Sequence, residues 1–214
     1  MKMNNAHTQK ADLGMPAPTQ PKEQKTVEIQ KYLKLKLEPK RYEHVLSMRD
    51  MAVNLAKRYE ADLEKVNLAA LLHDCAKWMS TSELVEAGAN SGVKFDEIER
   101  RNPSLLHAII GVELAIVLFG VNDSEILNAV RTHTTGNSAM TLIDKILYVA
   151  DFAEPTRTHE GAELVRELAY RDLERAVFEV ARYKIDHLLK KGVVIHPNTI
   201  GAYNHALWET NDCN

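Results

Sequence analysis

The sequence predicts an all-α fold, an orthogonal bundle of many short helices in a single domain. Apolar residues recur at spacings of three and four from Thr26 onward, the signature of helices with one buried face. Strand-like alternation is nowhere sustained. Pro39, Pro103, Gly120, Gly136, Pro155 and the stretch Gly192 to Pro197 divide the chain into pieces too short and too many for a symmetric four-helix bundle.

Taken in order, residues 1–25 are rich in Asn, Gln, Pro and Lys without apolar periodicity, and are expected as a disordered N-terminal tail. The folded domain is expected over 26–209, with 210–214 as a C-terminal tail. Val45, Met48, Ala52, Leu55, Ala56 and Tyr59 form one stripe on a helix from Pro39 to Glu60, with His44 at its edge. A helix from Leu63 to Trp78 is nearly apolar all round at its end and should be central. Shorter helices follow at Ser80–Ala89, Phe95–Arg101, Ser104–Phe119 and Asp123–His133. The run Met140 to Ala153 opens on a capping-box pattern at Thr141 and Asp144, and stops before Glu154-Pro155, which puts Asp151 in its last turn. Gly161–Ala169 and Asp172–Lys191 complete the helices before the segment Val193 to Thr199.

The chain has 214 residues, enough for one sizeable core. Its 45% hydrophobic and 27% charged content is that of a globular protein. A formal net charge of −3 argues against a broad basic surface, so duplex nucleic acid is not an expected partner. No apolar run approaches the roughly 20 residues that span a bilayer, and the N-terminus lacks a secretory apolar core. A cytoplasmic protein without membrane contact is expected. Cys75 and Cys213 cannot make a disulfide framework, and Cys75, inside an apolar run, should pack as a small hydrophobe.

The sharpest local feature is Leu71-Leu-His-Asp-Cys-Ala-Lys77, a His and an Asp side by side in an apolar stretch. Buried without partners, that pair would be costly. Adjacent helical side chains diverge by about 100°, so both reach one ion only near a helix end, and further ligands must come from other helices. His44, His107, His133 and Asp151 all flank apolar residues in comparable settings. A lone His on an apolar helix is ordinarily a hydrogen-bonded core residue; the joint placement points to a metal. Imidazole and carboxylate donors without thiolate suit iron, manganese, zinc, nickel or cobalt. Asp144 reads as a cap, and Trp78 as a core or lid aromatic.

The order His44, His73-Asp74, His107, His133, Asp151 resembles the ligand pattern of the HD superfamily of metal-dependent phosphohydrolases. The local strings are closer still to its YqeK family of symmetrical bis(5'-nucleosyl)-tetraphosphatases. They are Arg41-Tyr-Glu-His44, Leu71-Leu-His-Asp-Cys-Ala-Lys77, Leu106-His-Ala, Arg131-Thr-His-Thr-Thr-Gly136, Asp144 through Asp151 and Glu154-Pro-Thr-Arg157, and Ile195-His-Pro-Asn-Thr199. The resemblance covers about Val27 to Trp208.

The resemblance implies an HD-domain bundle in which His44, His73, Asp74 and Asp151 hold a metal, with iron first. It implies that Arg41, Lys77, His107, His133 and Arg157 face substrate phosphates, and that Val194, Ile195, His196, Pro197, Asn198 and Thr199 form a nucleoside-contacting loop. Composition alone would make that loop a plain interhelical turn. Asp74 and Lys77 are the expected catalytic residues. A second metal on His107 and His133 is the variant. The substrate implied is diadenosine tetraphosphate or a relative, cut to two ADP. The alternatives are another HD nucleotide phosphohydrolase, such as a nucleotidase or a deoxynucleotide triphosphohydrolase, and a non-catalytic nucleotide-binding regulator. Apolar helix faces in excess of one small core are compatible with a homodimer.

Overall fold

Spacings of three and four become helix throughout residues 22–211, the part of the chain that the computed structural model describes. The helices are α1 (Lys22–Lys36), α2 (Pro39–Arg58), α3 (Leu63–Leu72), α4 (Thr81–Asn90), α5 (Glu97–Arg101), α6 (Leu106–Phe119), α7 (Ser124–Thr132), α8 (Leu142–Ala153), α9 (Ala162–Ala169), α10 (Leu173–Lys191) and α11 (Pro197–Asn211). A 3-10 turn, Pro103–Leu105, leads into α6. Among the described residues there is no strand, and no helix is long and apolar enough to cross a membrane.

Helix starts are chemically marked. Asp62, Asp123 and Asp172 accept backbone N–H bonds at the N-termini of α3, α7 and α10. Ser80 with Glu83, Asp96 with Glu99 and Thr141 with Asp144 form full capping boxes at α4, α5 and α8, so Asp144 is a cap as its spacing predicts.

Helix α8 lies at the centre of the bundle, packed by α2, α3, α7, α9 and α10. Its Ile146, Leu147, Tyr148, Val149 and Ala150 are fully buried. Continuous burial of that run leaves no solvent face for a charge, so Asp151 at its end needs partners within the protein. Cys75 is buried and free, its thiol against the Gly111 carbonyl. Trp78 is half-buried, donates to the Tyr32 hydroxyl at 3.1 Å, and carries the Lys36 ammonium over its ring.

Three boundaries differ from expectation. The second predicted helix ends at Leu72, not Trp78, because the backbone tightens to i→i+3 bonds: Cys75 to Leu72, Lys77 to Asp74, and Met79 to Ala76. The helix end needed for His73 and Asp74 to share one centre therefore falls at the pair itself. Helix α1 starts at Lys22, inside the expected tail, because Ile29, Leu33 and Leu37 anchor it to the core; residues 1–21, and 212–214 at the other end, lie outside the described residues. Helix α11 was not expected. Its buried face is Thr199, Ala202 and Ala206, residues too small to register as an apolar stripe.

Candidate metal centre

Five helices deliver the predicted ligands to one point: His44 from α2, His73 and Asp74 from the end of α3, His107 from the first turn of α6, His133 from the end of α7, and Asp151 from the last turn of α8. His44, His73, Asp74, His107 and His133 are buried. Their donor atoms fall into two groups, His44 with His73 and Asp151, and Asp74 with His107 and His133.

Asp74 joins the groups. Its Oδ2 lies 3.5 Å from His73 Nε2 and 3.9 Å from His44 Nε2, while its Oδ1 lies 3.3 Å from His107 Nε2 and 3.8 Å from His133 Nε2. Asp151 Oδ1 is 3.2 Å from His44 Nε2 and 3.9 Å from His73 Nε2. Metal–ligand bonds of about 2.0–2.1 Å place neighbouring donor atoms roughly 3.0–3.5 Å apart; the His44–Asp151, His107–Asp74 and His73–Asp74 spacings fall in that range, and the other three, at 3.8–3.9 Å, are wider than it. Among the described residues the donor set is nitrogen and oxygen only.

Every imidazole is held with Nε2 inward. The Nδ1 atoms of His73, His107 and His133 bond to the carbonyls of Ala70, Ser104 and Val130, at 2.7, 2.6 and 2.8 Å, each three residues earlier in the chain. Nδ1–H therefore donates to backbone, and Nε2 keeps its lone pair for the centre. His44 Nδ1 instead faces the buried carboxylate of Glu154 at 3.0 Å.

Glu154 was not identified from sequence as functional, although it lies in the recognised Glu-Pro string. Its oxygens also accept from the Thr156 backbone N–H and hydroxyl. Burial works against its ionisation, but bonds from Ser47, Thr156 and His44 outweigh that and hold the carboxyl below its ordinary value. A carboxylate behind a ligating imidazole fixes the ring and raises its basicity. Glu154→Gln keeps the shape and removes the charge; metal affinity, read by chelator competition, should fall roughly 10-fold, the lower end of what outer ligands contribute. Unchanged affinity would make Glu154 a purely structural cap.

The carboxylates are ringed by cations. Arg41 Nη1 pairs with Asp74 Oδ2 at 3.0 Å, and Arg157 Nη2 with Asp151 Oδ1 at 3.2 Å. Lys77 lies in the fields of Asp74 and Asp151, and its ammonium is pushed below its ordinary value by burial. Arg166, also missed from sequence, holds the segment carrying Arg157 by donating to the carbonyls of Ala153, Glu154 and Arg157. Lys184 on α10 is a further basic group at the site. Its ammonium donates to the Thr134 carbonyl at 2.9 Å, lies over the Tyr148 ring, and is pushed down to about 8 by burial.

Burial opposes ionisation of Asp74 and Asp151, yet the surrounding histidines hold both well below the usual carboxylate range. Burial, together with charge on His73 and His107, pushes His133 down to about 3.

The segment expected to contact nucleoside is divided. Val194, His196 and Thr199 line a cavity of about 160 Å³ with Asn102, Ser104 and Thr134. Ile195 is half-buried, and Pro197 and Asn198 are exposed in the first turn of α11. His196 Nε2 lies 3.2 Å from Asp96 Oδ2, tying the segment to α5. Asp96, Glu99 and His196 form a third grouping, but its acids are already engaged in the α5 capping box and, at Glu99, by Arg131.

Residues 41–156 match the family model of the HD domain. A symmetrical bis(5'-nucleosyl)-tetraphosphatase of Bacillus subtilis strain 168 is 37% identical over 172 residues, 80% of this chain and 92% of its own. That of Halalkalibacterium halodurans is 37% identical over 169 residues, 79% of this chain and 90% of its own. A crystal structure of a predicted HD superfamily hydrolase involved in NAD metabolism, from Clostridium acetobutylicum, superposes with a TM-score of 0.82 at 38% identity, covering 86% of this chain and 97% of that one.

Proposed function

The chain belongs to the HD-domain family, and from that premise we propose that it is a metal-dependent phosphohydrolase cutting dinucleoside tetraphosphates symmetrically, diadenosine tetraphosphate to two ADP. One observation carries the reading: Asp74 faces two adjacent sets of inward Nε2 atoms, one with each oxygen, inside a ring formed by Arg41, Lys77 and Arg157. The centre is suited to divalent metal. His44, His73, Asp74 and Asp151 would hold the first ion. His107 and His133, with the other oxygen of Asp74, would hold a second. His133 donates Nδ1–H to the Val130 carbonyl and turns the Nε2 lone pair inward, which suits a ligand better than a phosphate counter-charge. Iron is the first ion to test, with manganese, zinc, nickel and cobalt as alternatives for this donor set.

A metal ion here supplies Lewis acidity, making water more acidic and drawing charge from phosphoryl oxygens. The residues of the chain do the rest. Asp74, held ionised, orients the attacking water. The water oxygen bonds to one of the two central phosphorus atoms and the bridging P–O bond breaks. The proton released passes to solvent or the departing ADP. Arg41, Arg157 and Lys77 offset the charge that gathers on the phosphates, in a site where burial makes fixed charges count for more than in water.

Incubating iron- or manganese-loaded protein with diadenosine tetraphosphate and resolving products by ion exchange tests the proposal. ADP as sole product supports it. ATP with AMP would overturn the cleavage position, and no turnover of any nucleotide would leave a nucleotide-binding regulator.

A further inference from the structure

A substrate cut at its centre carries one nucleoside on each side, each two phosphates from the breaking bond. Two nucleoside sites flanking the metal centre would hold both ends, and the segment 194–199, beside a cavity of about 160 Å³, is the expected first of them. The following inference rests on the proposed reaction and identifies the other.

A second cavity, of about 370 Å³, opens on the neighbouring face of α10, between it and the α8–α9 connection. Lys184 and His187 line both cavities, so these two side chains stand between them. Neither lining includes a ligand itself, but each cavity is walled by a residue next in the chain to a ligand of a different group. Phe152, next to Asp151 in the chain, lines the larger cavity. The smaller is lined by Ser104, whose carbonyl orients His107, and by Thr134, which follows His133.

The larger cavity has a flat aromatic wall. The rings of Phe152 and Tyr183 lie 5.9 Å apart at 26°, and His159 meets Phe152 edge-on at 4.4 Å. Backbone geometry fixes the wall: Gly161 has φ +84°, and a Cβ there would come within 2.3 Å of the Tyr183 ring. Stacking on such rings suits any base. The cavity lies within the roughly 300–1,000 Å³ usual for small-molecule sites. Its acids are paired, Asp186 with Arg182 and Glu160 with Lys190. Lys184 directs its ammonium at carbonyls between the cavities, in the field of Asp151.

We propose that the groove walled by Phe152, His159 and Tyr183 is the second nucleoside subsite. It takes the base of the nucleotide whose phosphates lie beside His44, His73 and Asp151, with Lys184 as a phosphate contact shared by both halves of the substrate.

The test uses metal-loaded protein and the variants Tyr183→Ala, Phe152→Leu and His159→Ala, the last at an exposed position that should leave folding untouched. ADP binding by calorimetry should give two per chain in wild type and one in Tyr183→Ala and Phe152→Leu. KM for diadenosine tetraphosphate should rise about 10-fold, as expected for one lost stacking contact, with kcat within a factor of about three. The KM advantage over adenosine tetraphosphate, which carries one nucleoside, should vanish. One ADP per chain in wild type, or an unchanged KM ratio in all three variants, overturns the subsite. Two ADP sites without turnover of diadenosine tetraphosphate would overturn the proposed reaction and leave the groove standing.

Discussion

Asp74→Asn is expected to cut hydrolysis of diadenosine tetraphosphate on the order of a thousand-fold, the scale on which a lost electrostatic stabiliser of a transition state counts. It should also leave the protein with little bound metal. Asp74 contributes one oxygen to each ligand group, at 3.5 Å from His73 Nε2 and 3.3 Å from His107 Nε2. Asparagine keeps the shape but offers one oxygen and an N–H₂, which would face the lone pair of one imidazole pair with a donor instead of an ion. Charge balance fails as well: two carboxylates, Asp74 and Asp151, stand among four imidazoles, and the variant halves that anionic charge.

Metal content and melting temperature separate this from simple misfolding. Metal at a hundred times its dissociation constant stabilises by about 2.7 kcal/mol. In a domain of this size that is roughly 5–10 °C of Tm. Wild type should gain this increment on metal addition, and Asp74→Asn should not. Asp96→Asn, altering an exposed acid of the third grouping, should retain the metal. An Asp74→Asn protein with full metal content and turnover within tenfold of wild type would remove Asp74 from the centre.

Where local pattern alone decides, the sequence was readable. The stripe from Val45 to Ala56 is the buried face of α2, and the capping pair Thr141 and Asp144 marks the start of α8. All six ligand candidates converge, because each one's apolar neighbours direct its helix face inward. What escaped depended on contacts distant in sequence or on weak burial signals. Glu154 acquires its role from His44 on another helix, Lys184 from carbonyls after α7, and Arg166 from the segment it clamps. Glu154 lies in a recognised string that does not disclose its role, and Lys184 and Arg166 carry no local pattern to mark them. The aromatic groove was equally invisible, since Phe152 and Tyr183 sit on different helices and meet only in the folded chain.

The glycine of the His-Thr-Thr-Gly string joins fold to site, and Gly136→Ala should destabilise the protein by about 2–5 kcal/mol. The left-handed conformation at φ +64° alone costs a residue with a Cβ about 1–2 kcal/mol. The new methyl would also stand 2.9 Å from Ala202 Cβ on α11 and 3.3 Å from the Tyr148 ring on α8, and overpacking of this kind adds about 1–3 kcal/mol. Tm should fall by roughly 4–20 °C. Turnover should fall too, even at temperatures where the variant is folded, because relief of the clash moves the backbone whose His133 and Thr134 carbonyls hold Lys184. Gly120→Ala is the matched control: its φ is +59°, and a Cβ there meets nothing within 4 Å. It should show only the backbone cost, about 1–2 kcal/mol, with turnover intact. If the two variants lose the same stability and neither loses activity, the close approach of α11 and α8 at Gly136 contributes nothing, and the string serves only as a turn.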